Sequence, residues 1–192
     1  MAEVLLFHHA HGLTEGVRAF ADTLRSAGHT VHTPDAYDGA VFASLEDGLA
    51  HARGIGFDVL VERGRAAAAG LPQELVYAGF SMGVLPAQAL AQTRPGARGA
   101  LLFSSFVPVS EFSEHWPAGV PAQIHSTDAD PFFVGEGDVE AARAFLAATP
   151  EAEMFLYPGD AHLFADASLP DHDAAAAQLC TQRVLAFLEA AG

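Results

Sequence analysis

Gly79-Phe80-Ser81-Met82-Gly83 is the segment whose residue types and spacing most directly suggest chemistry. It follows an apolar run, Glu74-Leu75-Val76-Tyr77-Ala78, and precedes a stretch, Val84 to Thr93, that reads as helix. A serine on so sharp a strand-to-helix turn sits at a strained backbone angle. Glycines two before and two after it let neighbouring chain pass close by. The following helix aims free N–H groups at the point where a tetrahedral oxyanion would form. The competing reading is an ordinary tight turn in which Ser81 caps the helix.

A serine hydroxyl is a weak nucleophile unless an imidazole takes its proton, and that imidazole needs a carboxylate on its other nitrogen. Two late segments offer them: His125-Ser126-Thr127-Asp128-Ala129-Asp130-Pro131 and Tyr157-Pro158-Gly159-Asp160-Ala161-His162. The order Ser81, Asp130, His162 is that of nucleophile, acid and base in hydrolases built on such an elbow. His162 is the expected base. His125 falls too close to a strand interior, and His172 begins a helix. Asp130 is the expected acid, with Asp128 as its rival. Asp160 is too near His162 in sequence to reach around the ring and reads as a cap of its own turn.

His8-His9-Ala10-His11-Gly12 follows the first apolar run. Three histidines in four residues invite a metal reading, but no carboxylate or cysteine set at ligand spacing accompanies them, so neither a metal nor a cofactor is expected. A loop here would lie beside the elbow. One oxyanion donor is the main-chain N–H near Ala10 or His11, with His11 as the assigned residue; the other is that of Met82. His9 is expected to line the substrate pocket, with Phe132 and Phe164. Phe42, Phe106 and Phe133 also sit in or next to loops at this edge, either as pocket wall or as packing onto the core.

These residues need a scaffold. Val4 to Phe7 reads as a buried strand. Thr14 to Ala27 reads as a helix whose Val17, Phe20, Ala21 and Leu24 form one stripe, closed by Gly28. His29 to Thr33 is a second strand, giving a parallel crossover unit. Asp35 to Gly54 is broken by Gly39, Gly48 and Gly54, and reads as a surface loop with a short helical piece at Ser44 to Leu49. Further helices are expected at Phe57 to Ala69, Val84 to Thr93, Val139 to Ala148 and His172 to Leu188. Further strands are expected at Leu75 to Phe80, Gly99 to Ser104, Pro121 to Ser126 and Glu153 to Tyr157. The alternation predicts an α/β fold over residues 1–192 as a single domain. Its mostly parallel central sheet has about six strands, helices cover both faces, and the ligand sits at the C-terminal strand ends.

Composition narrows the partners. Among 192 residues, 51% are hydrophobic and 17% charged, which excludes disorder. The net charge of −15 argues against nucleic acid and against an anionic membrane surface. Cys180 is the sole cysteine, so no internal disulfide is expected. The first residues lack a basic segment followed by a long apolar one, so no signal peptide is read and a cytoplasmic location is the expectation. A monomer is favoured, with a dimer left open.

The chain resembles the dienelactone hydrolase family of the α/β-hydrolases over nearly its whole length. The matching parts are His9-Ala10-His11-Gly12, Leu24 to Pro34 with its Ala-Gly-His and the following Asp35, and the elbow. Asp130-Pro131-Phe132, Tyr157-Pro158-Gly159 and His162-Leu163-Phe164 complete them. The resemblance implies Asp130 as triad acid and His162 as base. It also shows departures: the best-studied members carry cysteine at the place of Ser81, glutamate at that of His9 and a further glycine at that of Val84. The first two changes fit together, because a serine needs no device for holding a thiol, and they point away from dienelactone itself as substrate. The leading expectation is a serine esterase acting on a small, neutral ester or lactone through an acyl-enzyme. Thioester or amide hydrolysis by the same triad, or a non-catalytic binding protein on this fold, are the alternatives. The short Ser81–Asp130 gap leaves no room for the large lid of a lipase. Arg53, Arg63 and Arg65 are the candidates for clasping a substrate carboxylate.

Overall fold

The computed structural model describes residues 1–192. Its centre is a six-stranded sheet in the order β2-β1-β3-β4-β5-β6, with every neighbouring pair parallel. The strands are β1 (Glu3–Phe7), β2 (Thr30–His32), β3 (Val76–Phe80), β4 (Gly99–Phe103), β5 (Ala122–Thr127) and β6 (Ala152–Tyr157). The helices are α1 (Glu15–Ser26), α2 (Leu45–Ile55), α3 (Phe57–Ala68), α4 (Val84–Thr93), α5 (Asp138–Ala148) and α6 (Ala174–Ala191). This is the α/β-hydrolase fold. No helix is long and apolar enough to cross a membrane.

Alternation along the strands explains the two-faced core. Val4 and Leu6 of β1 pack with Phe20, Leu24, Val184 and Leu188, so α1 and α6 cover one face. Leu5 and Phe7 turn the other way and pack with Val84, Leu90, Val139 and Phe145, so α4 and α5 cover the other. Strands β3, β4 and β5 are buried along their whole length; apolar runs account for β3 and β4, whereas in β5 the side chains of Gln123, His125, Ser126 and Thr127 are hydrogen-bonded within the protein.

The stretch read as a broken loop after Asp35 departs from expectation. There α2 runs to Ile55, straight through Gly48 and Gly54, beyond the piece expected at Ser44 to Leu49. Ser44 caps it by accepting from the Asp47 N–H. Gly48 serves packing rather than termination: a Cβ there would come within 2.2 Å of the Ala10 carbonyl oxygen. The glycine lets α2 lie directly on the loop that follows β1. At the other end of the chain α6 begins at Ala174 rather than His172, because Asp173 accepts from the Ala175 and Ala176 N–H groups and so sets the start.

Candidate active site

Strand β3 lies inside the sheet, flanked by β1 and β4, and it ends at the elbow. Ser81 has φ 48°, a left-handed conformation costly for a residue with a Cβ. Close approach dictates the glycines. A Cβ on Gly79 would lie 2.1 Å from the Gly83 carbonyl oxygen, and one on Gly83 would lie 2.6 Å from the carbonyl oxygens of Phe7 and His8. The elbow is thus wedged against the end of β1, which sets the loop after β1 beside Ser81.

Ser81 Oγ lies 2.8 Å from His162 Nε2, and His162 Nδ1 lies 2.8 Å from Asp130 Oδ2. Asp130 is fully buried and every side of its carboxylate has a donor. Oδ1 accepts the N–H groups of Phe132 at 2.9 Å and Phe133 at 3.3 Å, and Oδ2 accepts from Ser126 Oγ at 3.1 Å as well as from the imidazole. An acceptor so surrounded requires Nδ1 to carry the imidazole proton, which leaves the Nε2 lone pair facing Ser81. Ser104 Oγ holds the His162 carbonyl, and the Phe132 ring lies 4.5 Å from the imidazole.

The rival residues lie elsewhere. Asp128 is exposed and accepts the Gly159 N–H at 3.0 Å, tying its own loop to the one after β6. Asp160 is exposed. His125 is a core residue, bonded to the Tyr157 hydroxyl at 2.9 Å, and His172 bonds the Phe164 carbonyl at 3.1 Å.

A cleft of about 370 Å³ opens on Ser81 and His162. Its walls include Leu45, Leu49 and Phe57 from the α2–α3 side, Leu85, and Phe132. Its charged residues are one arginine, Arg53, and two carboxylates, Glu136 and Asp138. Arg63 and Arg65 are not part of it; they pair with Asp38 and Glu62.

Three expectations need correction. Phe164 is fully buried in the core against Tyr157, and does not line the cleft. Phe106 and Phe133 take the second of the two roles left open for them, packing in the core. His9 is fully buried and turned away from the cleft, with Nε2 at 2.7 Å from Asp166 Oδ2. The His11 N–H is engaged by His9 Nδ1 at 3.3 Å, whereas the buried Ala10 N–H makes no hydrogen bond within the chain. Of the two candidate donors, the one left free is therefore Ala10, not His11. Sequence reasoning missed Asp166 altogether; its only signal was a carboxylate four residues after the expected base.

The three loop histidines do not converge. His8 donates from Nδ1 to the His9 carbonyl and accepts the Ala36 N–H on Nε2; His9 meets Asp166; His11 meets the Phe42 carbonyl. Burial pushes His8 down to about 4 and His125 down to about 3 from an ordinary 6.5, and it lowers His9 as well. In the unfolded chain these rings take up protons as pH falls through 6.5, while the folded protein resists. The stability of the neutral forms is therefore complete above 6.5 and lost progressively as pH falls toward 4, by up to about 3 kcal/mol for His8 alone. The melting temperature should hold from pH 8 to 7 and drop steeply between pH 6.5 and 4.5. A flat profile over that lower range would contradict the assignment.

The fold is shared with several solved structures. A dienelactone hydrolase-like promiscuous phosphotriesterase from metagenomic libraries superposes with a TM-score of 0.72 at 16% identity, covering 99% of this chain and 86% of its own. The thioesterase domain from the curacin biosynthetic pathway gives 0.64 at 14%, covering 95% and 90%. Thermogutta terrifontis esterase 2 gives 0.61 at 18%, covering 100% and 84%. No curated protein sequence matches the chain. The sequence profile of the dienelactone hydrolase family matches residues 1–192, and by that match the chain belongs to the dienelactone hydrolase family.

Proposed function

We propose that the protein is a serine hydrolase that cleaves small carboxylic esters or lactones through an acyl-enzyme. The observation that carries this reading is the relay from Ser81 Oγ to His162 Nε2 and from His162 Nδ1 to Asp130, each link 2.8 Å long, at the mouth of a cleft. His162 Nε2 takes the Ser81 proton as Oγ bonds to the carbonyl carbon. The oxyanion takes hydrogen bonds from the N–H groups of Met82 and Ala10. Collapse breaks the C–O bond of the ester, and Nε2 returns the proton to the departing alkoxide. A water then attacks the acyl-serine, gives its proton to Nε2, and the acid leaves as Ser81 is reprotonated. Asp130 holds the ring tautomer throughout.

The test is covalent capture. The similar Thermogutta terrifontis esterase 2 has been captured phosphorylated by paraoxon. A fluorophosphonate should modify this chain once, at Ser81, as mapped by peptide mass spectrometry. Unmodified Ser81 under conditions that saturate a control serine esterase would refute the reading.

The cleft also bears on the substrate. Its aliphatic and aromatic walls favour an apolar acyl or alcohol group. One arginine against two carboxylates, within a chain of net charge −15, does not favour an anion. On matched esters, kcat/KM should be higher for the neutral member than for the carboxylate-bearing one. The reverse preference would assign Arg53 a carboxylate-binding role.

A further inference from the structure

Behind the cleft lies a second buried histidine–carboxylate pair that the chemistry above does not use. Asp166 sits on the same loop as His162, and its carboxylate is saturated. Oδ1 accepts the Ser168 N–H at 2.8 Å and the Ser168 hydroxyl at 2.6 Å; Oδ2 accepts the Thr14 hydroxyl at 2.5 Å and His9 Nε2–H at 2.7 Å. Thr14 is also the N-cap of α1. Burial opposes the charge on Asp166, but the bonds from His9, Ser168 and Thr14 outweigh it and hold its carboxyl well below the ordinary range. With no proton to give, Asp166 requires that Nε2 of His9 be protonated. The other ring nitrogen, Nδ1, is then a bare acceptor, and it receives the main-chain N–H of His11 at 3.3 Å. A backbone N–H can only donate, so this contact fixes the same tautomer from the opposite side. Burial lowers the pKa of His9, in keeping with a neutral ring.

The consequence concerns the loop after β1. Its His11 N–H is tied back to His9, while its Ala10 N–H has no partner although Ala10 is fully buried. Buried main-chain donors left unbonded are rare, and one in a residue that packs with Met82, on the loop set against the elbow, calls for an explanation. We propose that His9 and Asp166 are positioning residues for the oxyanion hole: Asp166 fixes the tautomer of His9, His9 anchors the His11 N–H, and that anchor holds the Ala10 N–H free for the developing oxyanion. Neither residue touches substrate. The inference rests on the serine-hydrolase reading.

Amide substitution tests it. In Asp166→Asn the Ser168 N–H keeps the amide oxygen at the Oδ1 site, so the amide NH₂ faces His9. The imidazole must then accept at Nε2 and carry its proton on Nδ1, opposite the His11 N–H, which sets two donors face to face. His9→Gln keeps a donor toward Asp166 but loses the acceptor for His11. His9→Asn does the opposite, since its Oδ1 falls near the place of Nδ1. Removing one oxyanion donor outright costs about 10²- to 10³-fold in kcat. Misplacing one should cost about 10- to 100-fold, largely in kcat. We expect Asp166→Asn and His9→Gln to show that loss with KM within about threefold. Both should also lose affinity for a trifluoromethyl ketone, which binds as an oxyanion, by a similar factor. His9→Asn should stay within a few fold of the unaltered protein. Equal losses in His9→Asn and His9→Gln, a loss confined to KM, or full activity in both Asp166→Asn and His9→Gln would overturn the proposal. If Asp166→Asn fails to fold, the His9 pair alone decides. Fluorophosphonate labelling of the unaltered protein separates the two readings. No adduct at Ser81 defeats the hydrolase reading itself, whereas labelling with unaffected His9 variants defeats only the positioning role.

Discussion

Replacing Ser81 with alanine is expected to lower kcat by about 10⁵- to 10⁶-fold while leaving the fold in place, because a nucleophile acts as a unit with its base. The substitution removes one side-chain hydrogen bond, to His162, worth about 1 kcal/mol. It keeps the Cβ, so the strained φ of 48° persists. The melting temperature should therefore change little. Ser81→Gly makes a useful companion. It loses activity to the same degree, but relieves the left-handed strain of about 1–2 kcal/mol and should melt at a higher temperature than Ser81→Ala. Steady-state kinetics, fluorophosphonate labelling and thermal melts on the two variants check these points together. Substantial turnover in Ser81→Ala would end the serine mechanism.

Asp130→Asn should lower kcat by about 10⁴-fold with little change in KM, although it replaces only one atom. The N–H groups of Phe132 and Phe133 hold an oxygen at the Oδ1 site, so the amide nitrogen must face His162. Nδ1 becomes an acceptor, Nε2 becomes a donor, and the lone pair that would take the Ser81 proton is gone. The rate of fluorophosphonate labelling should fall in step with kcat. Asp128→Asn is the internal control. Its carboxylate accepts the Gly159 N–H from an exposed position, and its loss should leave kcat within about twofold. Equal effects at the two positions would mean that the imidazole is not oriented by Asp130.

Asp130 and Asp166 illustrate a common device. Each carboxylate is filled by main-chain and hydroxyl donors until only one role is left for the facing imidazole. The first arrangement leaves a ring nitrogen bare toward the Ser81 hydroxyl, and the second leaves one bare toward a main-chain N–H. A hydrogen-bond count at the carboxylate is thus enough to assign the tautomer of each histidine.

The sequence by itself determined the elements that position Ser81 and the order Ser81, Asp130, His162 along the chain. Those features are local. Apolar runs such as Ala100 to Phe103 suffice to mark buried strands, the Val17–Phe20–Leu24 stripe marks a helix, and the glycines at 79 and 83 mark a turn of one shape. Parallel strands then bring their C-terminal ends to one edge, so residues after β3, β5 and β6 must gather there. Tertiary structure decided what depends on distance across the chain. Gly48 reads as a helix breaker until the Ala10 carbonyl is found against it. Phe164 reads as pocket wall until Tyr157 and the core claim its ring. The choice between Ala10 and His11 as the free donor hangs on the His9 ring, and the orientation of that ring hangs on Asp166, far along the chain. Periodicity and spacing report which residues share a face. They carry no information on which of two adjacent N–H groups is already bonded, because that depends on partners the fold alone brings together.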